Sequence, residues 1–195
     1  MIGEIIASES KSFKAQVALG SDVPTFGEWV CVQHPDGSTT VGIVFSVQRE
    51  SVEPGRQVEA LGRTKEELER EMPHVFELIR TVFSCLVVGY QTKEGVFRQT
   101  IPPHPPELHA FVDLVEQTLI ETIQPPYDFF RLLTGGTESG LPTDDLFVTI
   151  LQKLSLTKIL QRQRIEVLIE AGRTISRLLG DDHERLNAIL RRISQ

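Results

Sequence analysis

The chain has 195 residues, 40% of them hydrophobic, with a formal net charge of −7. That length holds one domain or two small ones around a proper core. The acidic balance argues against a general nucleic-acid binder, which carries a basic surface. Cys31 and Cys85 are too far apart to form a metal or redox motif and read as buried free thiols. No apolar run reaches the roughly 18 residues of a membrane span. The first ten residues lack the basic start and long apolar core of a signal peptide. A reducing, cytoplasmic compartment is expected.

Ile2 to Ser8 reads as a first strand, and a polar turn follows it. Phe13, Ala15, Val17 and Leu19 alternate with Lys14, Gln16 and Ala18, the period of a half-buried strand. A third strand spans Glu28 to Gln33. Asp36-Gly37 then signals a hairpin, because a tight turn needs the positive backbone angles these residues accept. Thr39 to Gln48 is the longest of these strands, and Gly42 inside it marks a bulge or a barrel corner. Thr64 and Glu67 make a capping box for a helix. Pro73 breaks that helix, so two pieces are expected, over 64–71 and 73–83. Val75, Phe76, Ile79, Val82 and Phe83 supply the apolar stripe of the second. Leu86, Val87 and Val88 form a continuous apolar run, which fits a strand over 84–91 buried on both faces. Val96 to Thr100 is read as the closing strand of a small antiparallel barrel over 1–101.

The stretches IGEIIASESKSFKAQV (2–17), GEWVCV (27–32) and VGIVFSV (41–47) resemble the HAS-barrel family, named for HerA and ATP synthase. The resemblance covers the first half of the chain. It implies an oligomerisation and docking collar, which in that family precedes a P-loop ATPase domain. Here the pattern departs. Gly135 and Gly140 have the glycine spacing of a phosphate loop, but Leu141 and Pro142 stand where Lys and Ser or Thr are required. The stretch reads as a plain connector.

The prolines of 102–106 suggest an extended, semi-rigid linker, with a ligand for a proline-binding groove as the lesser reading. His104 and His109 have too few ligands nearby for a metal site and read as solvating a helix start. Leu108, Phe111, Val112, Val115, Leu119 and Ile123 then recur at helical spacing over 107–123. Further helices are expected over 127–133, from Thr143 to about 155, and from Thr157 to Leu179, where Gly180 stops the helix. Asp181 and Glu184 would cap the last helix.

Charge is uneven in this half. Residues 105–146 hold eight acidic residues and one basic, a balance of −7, and 153–195 hold nine basic and five acidic, a balance of +4. Two readings fit such a pattern: acidic and basic helices face each other or water, or the arginines gather into a docking face. Arg162, Arg173, Arg177, Arg191 and Arg192 are the candidate partner-binding residues. No aromatic residue lies among them to stack on single-stranded nucleic acid.

The fold class expected is α+β: a small antiparallel β-barrel with a helical insertion over 64–83, followed by a bundle-like helical half over 107–195. No catalytic set, cofactor or metal is implied by the motifs. The expected role is a non-enzymatic docking, assembly or oligomerisation protein that binds a protein partner or itself. The alternative is an accessory factor of a nucleic-acid-processing ATPase, with the basic helices contacting nucleic acid or an acidic partner.

Overall fold

A computed structural model describes the chain apart from residues 54, 56–58, 135–140, 157–160 and 194–195. Its strands are β1 (Gly3–Ser8), β2 (Ser12–Val17), β3 (Trp29–Gln33), β4 (Thr39–Ser51), β5 (Ile79–Gln91), β6 (Phe97–Arg98) and β7 (Phe111–Leu114). Antiparallel pairing runs β2–β1–β7–β3–β4–β5, and β5 pairs back onto β2, closing a six-stranded barrel. Closure removes the open edges that a flat sheet of this size would expose. Between β3 and β4 the hairpin turn is as expected: Gly37 has φ +85°, and the Asp36 carboxylate accepts from the Ser38 amide at 2.8 Å. The β4–β5 register shifts at Gly42. A Cβ there would lie 3.0 Å from the Phe13 ring, so the bulge needs glycine for space.

Strand alternation sorts the apolar residues into two cores. Ile5, Phe13, Val30, Val32, Val44, Phe83, Cys85, Val87 and Val112 fill the barrel. Trp29, Val41, Ile43, Leu86 and Val88 point outward from β3, β4 and β5 into a second core. Residues 82–89 of β5 are buried without interruption, as the continuous apolar run predicts.

The helices are α1 (Lys65–Glu71), α2 (His74–Glu77), α3 (Gln117–Glu121), α4 (Phe130–Thr134), α5 (Thr143–Leu156), α6 (Gln161–Leu179) and α7 (His183–Ile193). The capping box at α1 is present: the Glu67 amide donates to the Thr64 hydroxyl, and the Thr64 amide donates to the Glu67 carboxylate at 2.9 Å. Helices α4, α5, α6 and α7 form the outer wall of the second core through Phe130, Leu133, Phe147, Leu151, Ile175 and Ile189.

Four expectations need correction. The helix expected over 107–123 is absent; residues 111–114 are β7, which pairs with both β1 and β3, and only 117–121 are helical. Without β7 those two strands would face each other unpaired, so the vacancy in the ring overrides the local period. The closing strand is therefore β7, and Phe97–Arg98 pairs only with β5. The helix expected to reach residue 83 ends at Glu77, because Ile79–Phe83 pair with Ser51–Val47 of β4. The cap of α7 is Asp182, whose carboxylate accepts from the Arg185 amide at 3.0 Å, in place of Asp181.

Barrel and helices share the second core. Trp29 meets Phe129 edge-on, with centroids 6.0 Å apart, and Phe129 packs on Phe130 at 4.6 Å. Lys153 of α5 pairs with Glu28 at 3.1 Å. The Gln99 amide bridges the two parts, donating to the Gln124 carbonyl at 2.6 Å and accepting from the Phe129 amide at 3.3 Å. Gly27 lies so close to α5 that a Cβ would stand 2.1 Å from the Thr149 methyl. In the proline segment Pro102 and Pro106 are buried, so it lies against the body and is not a free spacer.

Two outcomes follow from this shared core. The single tryptophan sits at the barrel–helix junction, so its fluorescence should report the same unfolding transition as far-UV circular dichroism, and Phe129→Ala should destabilise both readouts together by about 3–5 kcal/mol. Separate midpoints for the two probes would show that the halves unfold independently. A fragment of residues 1–101 lacks β7 and should show no dispersed amide spectrum; a well-dispersed one would make β7 dispensable.

Candidate functional site

Helical positions 162, 165, 169, 173 and 177 of α6 fall within a sector of about 120°, since successive residues advance by about 100°. That sector faces solvent. Ile165 is 50% exposed and Ile169 47%, while Val167, Ala171, Thr174 and Ile175 on the opposite side are buried. The stripe thus carries two isoleucines one turn apart, with Arg162 ahead of them and Arg173 and Arg177 behind. Arg162 pairs with Glu166 at 3.2 Å, four residues on. Arg173 pairs with Glu170. Arg177 forms none of the ion pairs found among the described residues.

The other two candidate arginines lie on α7 and behave differently. Arg192 pairs with Asp145, and Arg191 donates to the Asn187 carbonyl of its own helix at 3.3 Å. Arg185, about two turns earlier, pairs with Asp144 at 2.7 Å. That hydrogen bond and the nearby carboxylates raise its pKa further above the ordinary guanidinium value. Asp144 and Asp145 open α5, where the helix dipole already favours negative charge. The acidic start of α5 and the basic α7 therefore face each other across the bundle. So the five arginines divide into an exposed α6 set of three and an α7 set of two. Ile165 and Ile169 escape a sequence reading that follows only the buried stripe; their signal was an i, i+4 apolar pair on the polar side.

A groove of about 700 Å³ lies beside the barrel, where Cys31, Gln33, Asp113, Leu114, Glu116 and Leu119 line its wall. The N-terminal ammonium pairs with Asp113 there. Burial pushes the Cys31 thiol up to about 11; Asp113 and Glu116 add to the rise and the ammonium opposes it. Cys85, inside the barrel, is raised well above the ordinary thiol by burial alone. Tyr127 is pushed up to about 12 by burial and then by Glu170. All three groups are held in their protonated forms, the poor nucleophiles of their kind. His109 does not solvate a helix start: it stands at φ +66° before β7, with its Nδ1 2.5 Å from the Glu4 carboxylate. The glycine stretch 135–140 lies outside the described residues. The element before it, α4, is a helix, whereas a phosphate loop follows a strand. Among the described residues no three His, Cys, Asp or Glu side chains are placed to hold a metal ion, and no helix is long and apolar enough to cross a membrane.

The N-terminal half is thus a small closed antiparallel barrel whose interior is filled by its own side chains. Residues 2–93 match the family described as HAS barrel domain. The matched stretch ends just beyond β5 and leaves out β7, the strand that closes the ring. No curated protein matches the chain.

At pH 8 a thiol of pKa about 11 is thiolate in only about one molecule in a thousand. Alkylation of native Cys31 by iodoacetamide should be correspondingly slow. Asp113→Asn removes the larger of the two carboxylate contributions, lowers the pKa and raises the thiolate fraction, so the reaction should accelerate. An unchanged rate would show that Asp113 does not contribute to the rise.

Proposed function

We propose that this protein is a non-enzymatic docking or assembly factor that works through protein–protein contacts of its barrel and its helical cover. The observation that carries the reading is the match of residues 2–93 to the HAS barrel domain, a module whose resemblance implies docking and oligomerisation. Two physical features support it. The barrel has no room for a ligand, because Phe13, Phe83 and their neighbours fill it. The titratable groups moved furthest from their ordinary values, Cys31, Cys85 and Tyr127, move away from reactivity; a catalytic nucleophile or base needs the opposite shift.

A role beside a nucleic-acid-processing ATPase is one form of the same reading. Direct nucleic-acid contact by the arginines has less support, since no aromatic residue lies among them to stack on bases and Arg192 of α7 is already engaged with Asp145 of α5.

The test uses the full-length chain, because the shared core forbids dividing it at residue 101. Sedimentation across a hundredfold concentration range should show self-association, or native purification should retain one partner in fixed stoichiometry. A monomer at every concentration with no stoichiometric partner would remove the proposal.

A further inference from the structure

We infer that the exposed stripe of α6 docks an acidic amphipathic helix of a partner protein; this rests on the docking function proposed above and assigns it a surface and a partner chemistry. Arg162 to Arg177 spans about 22 Å at 1.5 Å per residue, the length of a four-turn helix. Ile165 and Ile169 form a short apolar ridge at i, i+4 spacing, the row that packs into the groove of a second helix. Nothing among the described residues buries that ridge: the two side chains remain 50% and 47% exposed. The neighbouring α7 does not lie over it, because Leu190 approaches α6 at Gly172, on the flank of the stripe.

Charge decides the occupant. Arg162, Arg173 and Arg177 bracket the ridge, and Glu166 is the one carboxylate within the same sector. Arg162 is 91% exposed and Arg173 62%, and solvent-exposed pairs within one helix are weak. Carboxylates of an arriving helix can therefore displace Glu166 and Glu170 from their arginines, while Arg177 is open to a new pair. The site suits two apolar side chains one turn apart, flanked by Glu or Asp. An anionic membrane is a poorer fit, because an interfacial helix needs a broad apolar face and this one offers two isoleucines. Nucleic acid is also a poorer fit, because the centre of the stripe is the apolar pair Ile165 and Ile169 and no aromatic side chain is present to stack.

The probe is a fluorescein-labelled, end-blocked peptide of about 15 residues, one stripe length, with leucines at i, i+4 spacing flanked by glutamates on an alanine background. Its lysine counterpart, oligo-dT and phosphatidylserine vesicles are the controls. Full-length protein should bind the glutamate peptide saturably, less tightly as salt rises, and in preference to all three controls. Ile165→Ser/Ile169→Ser and Arg173→Glu/Arg177→Glu should each weaken binding about tenfold or more. Their thermal midpoints should stay at the parent value, since all four positions are exposed. Absence of binding, equal binding of the lysine peptide, unchanged affinity in both variants, or tighter binding of oligo-dT or vesicles would each overturn the inference. Sedimentation and native purification of the same two variants separate the levels. If association or partner retention persists while the peptide fails, the stripe is wrong and the docking function stands. If the wild type shows neither, the docking function itself falls.

Discussion

Three strands of this barrel are apolar on both faces, and that constraint shapes the rest of the molecule. A barrel buries one face of each strand by closing on itself. β3, β4 and β5 also present Trp29, Val41, Ile43, Leu86 and Val88 on the outside. Exposed, they would form a contiguous apolar patch that water disfavours. The helical half covers them, and Phe129, Phe130 and Phe147 supply the matching aromatic surface: Trp29–Phe129 and Phe130–Phe147 meet edge-to-face, and Phe129 and Phe130 pack at a tilt of 35°. The barrel therefore requires its cover, and the cover requires the barrel. Where β1, β2 and β7 form the wall, the outward face mixes polar Glu4, Lys14 and Asp113 with the exposed apolar Ile6 and Phe111.

The features legible in the sequence are those decided within a few residues. The Asp36-Gly37 turn, the Thr64–Glu67 capping box, the bulge at Gly42 and the two-sided burial of residues 86–88 each follow from local chemistry. β7 was not legible, because Leu108, Phe111, Val112, Val115 and Leu119 satisfy a helical period as well as any real helix here. Val112 becomes an inward barrel residue only because a gap between β1 and β3 awaits a strand. Ile79 to Phe83 follow a helical period in the same way, and their partners on β4 lie some 30 residues away, beyond the reach of any window. Long-range pairing overrides local propensity wherever a strand is required to complete a ring.

The arginines show the same limit in another form. The balance of charge per segment was readable, and its meaning was not, since helical faces depend on packing. Asp144 and Asp145 turn out to face Arg185 and Arg192, so part of the segregation is an internal match between α5 and α7. These pairs are partly exposed and contribute little individually to stability. Their consequence is orientation: they fix which side of α7 turns toward α5. On α6, by contrast, Arg162 and Arg173 pair with Glu166 and Glu170 of their own helix.

The excursion between β4 and β5 follows a different logic from the rest of the chain. Neither α1 nor α2 contains a buried residue, and a seven-residue helix is marginal in water. Local interactions substitute for packing: the capping box, the Lys65–Glu69 pair at 3.4 Å, and the Arg63–Glu71 pair. Each is a small contribution, so this element sits at the low end of the stability range of the molecule while β4 and β5 beneath it sit at the high end. The two 13-residue strands carry it well clear of the shared core. Tertiary constraint in this protein is thus concentrated in the doubly buried strands, and it falls away along the ribbon toward α1 and α2, where the sequence alone holds the structure.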